Sequence, residues 1–169
     1  MSKLLIVDTF YFIHRSFHAY PLDFMNSKGE HTNITFGLAM SLMDLIEELE
    51  PSHIVCAWES EEQPSFRKEL YPKYQITRAQ LEPIEEKIFS EQFPRVIEMI
   101  ESFNIPRFTE NGFEGDDVIG TMATLASKEM DVVIATSDQD MIQLVNDKIS
   151  VFRPGRQPFI PKMTFTPTT

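Results

Sequence analysis

With one cysteine in 169 residues, the chain cannot close an internal disulfide. Cys56 falls in the apolar run His53 to Trp58 and reads as a buried, reduced thiol rather than a nucleophile. Six glycines never assemble into a phosphate-cradling loop, which excludes a P-loop or dinucleotide site, and no nucleophile elbow supports a Ser/His/Asp hydrolase. Long hydrophobic runs are missing too. Leu4-Leu5-Ile6-Val7 is cut short by Asp8, too brief for a signal segment, and no stretch approaches the ~20 apolar residues of a membrane span. A soluble, cytoplasmic protein that does not meet a membrane is expected. Cations are scarce: 15 Lys and Arg against 26 Asp and Glu, a net charge of −11, argue against a general nucleic-acid coat. At 42% hydrophobic residues, the chain has enough apolar mass for one ordinary domain with a real core.

What is present is unevenly placed. Gly112 to Thr121 reads Gly-Phe-Glu-Gly-Asp-Asp-Val-Ile-Gly-Thr, with three carboxylates in four residues just before an apolar helical pattern. A helix start accommodates one acid as a cap and a second in its first turn, each worth ~1 kcal/mol. A third adds like-charge repulsion that a divalent cation would relieve. Arg67, Lys68, Lys73 and Arg78 form a local basic strip in the irregular stretch Glu61 to Gln80, interleaved with Phe66, Tyr71 and Tyr74. Basic and aromatic residues together suit a phosphate backbone and unstacked bases, although a plain surface loop fits this stretch equally well.

Read in order, Lys3–Asp8, Ile54–Trp58, Ile105–Phe108, Asp131–Thr136 and Ile149–Phe152 have the short apolar pattern of buried strands. Helical patterns lie over Thr9–Ala19, Thr35–Glu50, Leu81–Phe103 with a break at Pro94, Glu114 to about Met130, and Met141–Val145. In the second of these, Met40 and Met43 read as core filler alongside Phe36 and Ile46. His14 and His18 stand at i, i+4 but lack a third ligand, so they are assigned to the surface or to supporting roles. The alternation predicts an α/β domain with a doubly wound, mostly parallel sheet. In such sheets ligands bind beyond the carboxyl ends of the strands. Asp8, Glu59 and Asp138 each follow a strand, Asp140 comes two residues later, and Glu114, Asp116 and Asp117 open the helix before Asp138. Seven carboxylates without His or Cys suit hard cations, Mg²⁺ or Mn²⁺, and two ions ~4 Å apart suit phosphodiester hydrolysis.

These segments resemble the 5′ nuclease family, the 5′-to-3′ exonuclease domain of bacterial DNA polymerase I and the flap endonucleases, with a PIN-like fold. Leu5-Ile6-Val7-Asp8 looks like the family's opening strand and acid, Phe12 to Ala19 like its Tyr-x-x-x-x-His-Ala segment, and Ser65 to Tyr71 like its Thr-Phe-Arg-x-Glu-Leu. Glu114 to Thr121 is similar to Glu-Ala-Asp-Asp-Val-Ile-Gly-Thr, and Thr136 to Val145 to Thr-Gly-Asp-Lys-Asp-Met-x-Gln-Leu-Val. The resemblance implies that Asp8, Glu114, Asp116, Asp117, Asp138 and Asp140 are catalytic metal carboxylates, with Glu59 where an Asp is expected. It makes 60–80 the start of a helical arch, with Arg15, Arg67, Lys68, Lys73, Tyr74 and Arg78 facing DNA. Residues 1–155 become the N-terminal catalytic domain, and 156–169 a tail or the truncated start of a C-terminal half that a polymerase domain can follow. The implied activity is metal-dependent cleavage at DNA 5′ ends or flaps in replication and repair, in the nucleoid of a bacterial cytoplasm. Departures are Thr9 and Ser137 where glycine is expected, and Gln75 and Gln139 where lysine is expected, the first of these lysines being placed by the family at the scissile phosphate. They leave open a degenerate, non-catalytic DNA-structure-binding relative, and a PIN-type ribonuclease is a third reading.

Overall fold

A computed structural model describes residues 2–60, 66–74 and 81–155, together with the backbone of 159–160. Ser65, Gln75 and Arg78 lie outside the described residues, as does most of the flanking arch sequence. Strand β1 (Lys3–Asp8) runs into helix α1 (Thr9–Ala19), and α2 (Asn33–Leu49) leads to β2 (His53–Ala57). After the short helix α3 (Phe66–Leu70) come α4 (Pro83–Glu91), α5 (Phe93–Ser102) and the two-residue β3 (Arg107–Phe108). Then follow α6 (Gly115–Ala126), β4 (Asp131–Ala135), a 3₁₀ turn (Asp140–Leu144), β5 (Ile149–Phe152) and β6 (Phe159–Ile160).

The strands form one sheet in the order β3-β2-β1-β4-β5-β6, with the first five parallel. β6 pairs antiparallel with β5, an addition the tail reading of 156–169 does not contain. Alternation along β1 sends Leu5 and Val7 to one face, against α1, α2 and α5, and Ile6 to the other, against α6 and the 3₁₀ turn. Two apolar layers therefore sandwich the sheet, as the strand–helix alternation predicts.

On α2 the buried stripe is Ile34, Leu38, Leu42, Leu45 and Leu49 at i, i+4 and i+3 spacing. Met40 and Met43 are not core filler: they are 39% and 53% exposed, on the opposite side with Phe36 and Ile46. One helix surface cannot face the sheet all round, so an apolar sequence overfills its stripe. Gly37 lets α1 approach α2, because a Cβ there would lie 2.6 Å from Cβ and Oγ of Ser16. The helical pattern of 81–103 divides at Gln92, two residues before Pro94, whose missing N–H suits the first turn of a new helix. Gln92 is buried and ties three helices together. Its Nε2 donates to Asn33 Oδ1 at 2.8 Å and to the Ile88 carbonyl at 3.1 Å, while its Oε1 accepts the Ile34 N–H at 3.1 Å. Asn33 in turn donates to the Phe17 carbonyl at 3.2 Å.

Candidate active site

The sheet order reverses between β1 and β4, and the carboxyl ends of these two neighbours carry the acids expected there. Asp8 closes β1 and caps α1, its Oδ1 accepting the Tyr11 N–H at 3.1 Å. The fully buried Thr136, next after β4, donates its hydroxyl to Asp8 Oδ2 at 2.6 Å and accepts the Asp138 N–H at 3.1 Å. Asp138 Oδ1 accepts the Asp140 N–H at 2.9 Å. Beside them Ser137 Oγ donates to the Tyr11 hydroxyl at 2.8 Å, and Arg153 Nη2 donates to the Ser137 carbonyl at 3.3 Å.

Glu114, Asp116 and Asp117 enter from the start of α6, where Asp117 Oδ2 accepts the Glu114 N–H at 3.2 Å and places the first turn. A cleft of about 430 Å³ opens between these segments. Asp8, Glu59, Glu114, Asp116 and Asp138 line it with Tyr11 and His14, and no lysine or arginine is among the described residues that do so. The electrostatics follow. Burial pushes the Asp8 carboxyl above its ordinary value, against the Thr136 and Tyr11 hydrogen bonds and with Asp138 adding to the rise. Asp116, exposed at its surface yet set among protein and acids, is pushed up to about 6 by desolvation first and then by Asp138, Asp8, Glu114 and Asp117.

Asp117 and Asp140 face a second groove, of about 640 Å³, beyond Asp116. Here the structure brings residues of the basic strip onto the acids. Arg67 grips Asp117 with both Nη atoms, Nη2 to Oδ1 at 2.6 Å, and approaches Glu114 to 3.9 Å. The Tyr74 hydroxyl donates to Glu114 Oε2 at 3.1 Å. Phe66 packs on Phe113 with centroids 5.4 Å apart, and its N–H bonds the Gly112 carbonyl at 3.0 Å, so α3 is docked on the start of α6. This guanidinium holds the Asp117 carboxyl below the usual range.

Of the expected DNA contacts, Arg67 and Tyr74 thus meet carboxylates, Lys68 and Lys73 are exposed, and Arg15 is exposed on α1 beside the turn at Gly155. Among the described residues, no three His, Cys, Asp or Glu side chains enclose an ion by themselves. The donor set nevertheless fits a hard divalent cation, because it offers only oxygens on the cleft's acidic wall and repels itself without one. Thr136, Tyr11, Ser137 and Arg153 had no role assigned from sequence. The hydroxyl two residues before a strand-end acid is a signal for Thr136; nothing in sequence marks Arg153.

Fold and rim define an α/β protein that gathers carboxylates at the switch point of a parallel sheet. Comparison with known proteins narrows this class. The family described as "5′-3′ exonuclease, N-terminal resolvase-like domain" matches residues 3–167, and the chain belongs to it. DNA polymerase I of Bacillus subtilis (strain 168) is 35% identical over 151 residues, covering 89% of this chain and 16% of the polymerase. A 5′-3′ exonuclease of the same organism is 34% identical over 153 residues, 89% of this chain and 50% of that protein. The chain thus spans about half the length of one curated relative and a smaller share of the other. Among solved structures, a bacteriophage T5 5′-exonuclease with bound divalent metal ions (zinc) matches with a TM-score of 0.70 at 21% identity, over 89% of this chain and 55% of that one. A T5 flap endonuclease complexed with DNA and metal ions matches at 0.63 and 23%, over 89% and 54%. These two establish the fold. No helix among the described residues is long and apolar enough to cross a membrane.

Proposed function

We propose that the chain is the N-terminal catalytic domain, residues 1–155, of a metal-dependent nuclease that hydrolyses DNA at 5′ ends or flaps, with 156–169 a tail or the start of a C-terminal half. One observation carries the reading: five carboxylates line a single cleft, with no lysine or arginine among the described residues that line it, in a member of an exonuclease family. Asp8, Glu59, Glu114, Asp116 and Asp138 would hold one Mg²⁺ or Mn²⁺ ion, and Asp117 and Asp140, on the neighbouring groove, a second. Divalent cations supply Lewis-acid stabilisation of the charge that develops on the phosphodiester.

The chain's own residues do the rest. Arg15, Lys68, Lys73 and Arg78 offer positive charge to the DNA backbone. Arg67 trades its grip on Asp117 for a substrate phosphate, which returns that carboxylate to the rim. Tyr74 stands beside it as a stacking surface for an unpaired base. Work in replication and repair, and a polymerase domain in the same chain, follow from the relatives on the same terms.

The test is cleavage of a labelled 5′-flap DNA by the chain alone and by a version extended to the length of its exonuclease relative, in Mg²⁺, Mn²⁺ or chelator. Metal-dependent cleavage is expected from the extended form. Binding by both forms without cleavage in any metal refutes the catalytic reading and favours a DNA-structure-binding relative, the alternative motivated by Gln75 and by Gln139 exposed between Asp138 and Asp140.

A further inference from the structure

Thr136 is fully buried, yet it reaches two carboxylate-bearing segments through one hydroxyl. That hydroxyl has a single proton. The Asp138 N–H, 3.1 Å away, occupies a lone pair of Oγ1, so the proton is directed to Asp8 Oδ2 at 2.6 Å. The other Asp8 oxygen already accepts the Tyr11 N–H at 3.1 Å. Both oxygens are therefore held from the protein side while the carboxylate lines the cleft. A carboxylate otherwise turns freely over a broad torsional well, and an ion has to stop that motion when it binds. The same contact places the backbone of Asp138, whose Oδ1 receives the Asp140 N–H at 2.9 Å. Orientation thus passes from β1 to the end of β4 through one hydroxyl, and on to the 3₁₀ turn through the Asp138 carboxylate.

We propose that Thr136 is a positioning residue of the metal centre, whose hydroxyl sets Asp8 and Asp138 for cation binding without touching the ion. The inference rests on the carboxylates being cation ligands, as argued above. Valine matches threonine in shape and lacks the hydroxyl; serine keeps the hydroxyl and lacks the methyl.

The experiment is Mn²⁺ binding to the 169-residue chain by titration calorimetry, with folding checked by circular dichroism. T136V is expected to weaken Mn²⁺ binding ~10–100-fold, the usual loss when a partner supporting a ligand is removed, and T136S to bind within a few-fold of the parent. T136A, which leaves space for water, is carried alongside, so that a folding failure of T136V still leaves an alanine–serine comparison. Unchanged Mn²⁺ affinity in T136V or T136A, whatever the loss of thermal stability, overturns the proposal by making the hydroxyl merely structural. Serine behaving like valine also overturns it. Absence of Mn²⁺ binding by the parent chain overturns the ligand reading itself, and is seen before any variant is made.

Discussion

Replacing Gly37 by alanine sets two opposed effects against each other, and the structure decides between them. In the interior of a helix alanine is favoured over glycine by ~1 kcal/mol, so G37A ought to stabilise if α2 stood alone. It does not stand alone: the added Cβ would lie 2.6 Å from Cβ and Oγ of Ser16 and 2.8 Å from Cε2 of Tyr20. Ordinary contact needs ~3.5–4.0 Å, so α1 and α2 must separate by about 1 Å. Overpacking of this kind costs ~1–3 kcal/mol. The net expectation is a loss of about 1 kcal/mol, or ~2–4 °C in Tm for a domain of this size. Because Asp8 caps α1, displacement of the helix also loosens the Tyr11–Asp8 contact. Thermal and urea denaturation of the chain, G37A, S16G and G37A/S16G measure this, because S16G removes the two nearest atoms and should make G37A less costly in its background. A rise in Tm for G37A, or a double variant less stable than the sum of its parts, refutes the close-packing argument.

In metal-free protein, D116N is expected to stabilise. Desolvation and the neighbouring acids push the folded carboxyl up to about 6 from an ordinary 3.8, so the folded state binds the proton more tightly and stability falls as pH rises through that window. With Asp116 exposed, solvent screening reduces the benefit of D116N to ~1 kcal/mol above that window, vanishing below it; thermal melts showing no pH dependence of the difference would contradict this. R67A, by releasing α3 from Asp117, should speed chymotrypsin cleavage after Tyr74, and an unchanged digestion rate would show that the ion pair does not hold the segment. Q92L leaves the Ile34 N–H and Asn33 Oδ1 buried without their partner and should cost ~2–4 kcal/mol by urea denaturation, whereas a loss under ~1 kcal/mol would mean the helix clamp is dispensable.

The strand–helix alternation was legible because each strand is a short apolar run ended by an acid or a turn, and both apolar layers were implicit in it. The clustering of Asp8, Glu59, Glu114, Asp116 and Asp138 followed from one topological rule, that parallel strands present their carboxyl ends together. Side-chain pairing was not legible. Arg67 and Tyr74 read as contacts for DNA because composition shows charge and aromaticity but not direction; the fold turns them toward Asp117 and Glu114. The hidden roles of Gln92 and Thr136 share a cause, since a buried polar side chain gains its meaning from partners distant in sequence. Met40 and Met43 misled for the converse reason: apolar character records what a position tolerates, whereas exposure depends on which helix face meets the sheet.

Trp58 is the only tryptophan in the chain, 2% exposed, and it sits between the last residue of β2 and Glu59 of the cleft. Its ring meets Phe10, which itself lines the cleft, at 5.3 Å and lies under the Arg107 guanidinium at 5.2 Å. Excited at wavelengths beyond tyrosine absorption, the molecule therefore carries a built-in fluorophore located beside the rim. Placed next to Glu59 and against Phe10, that label-free probe stands where a change at the carboxylates would first disturb the core.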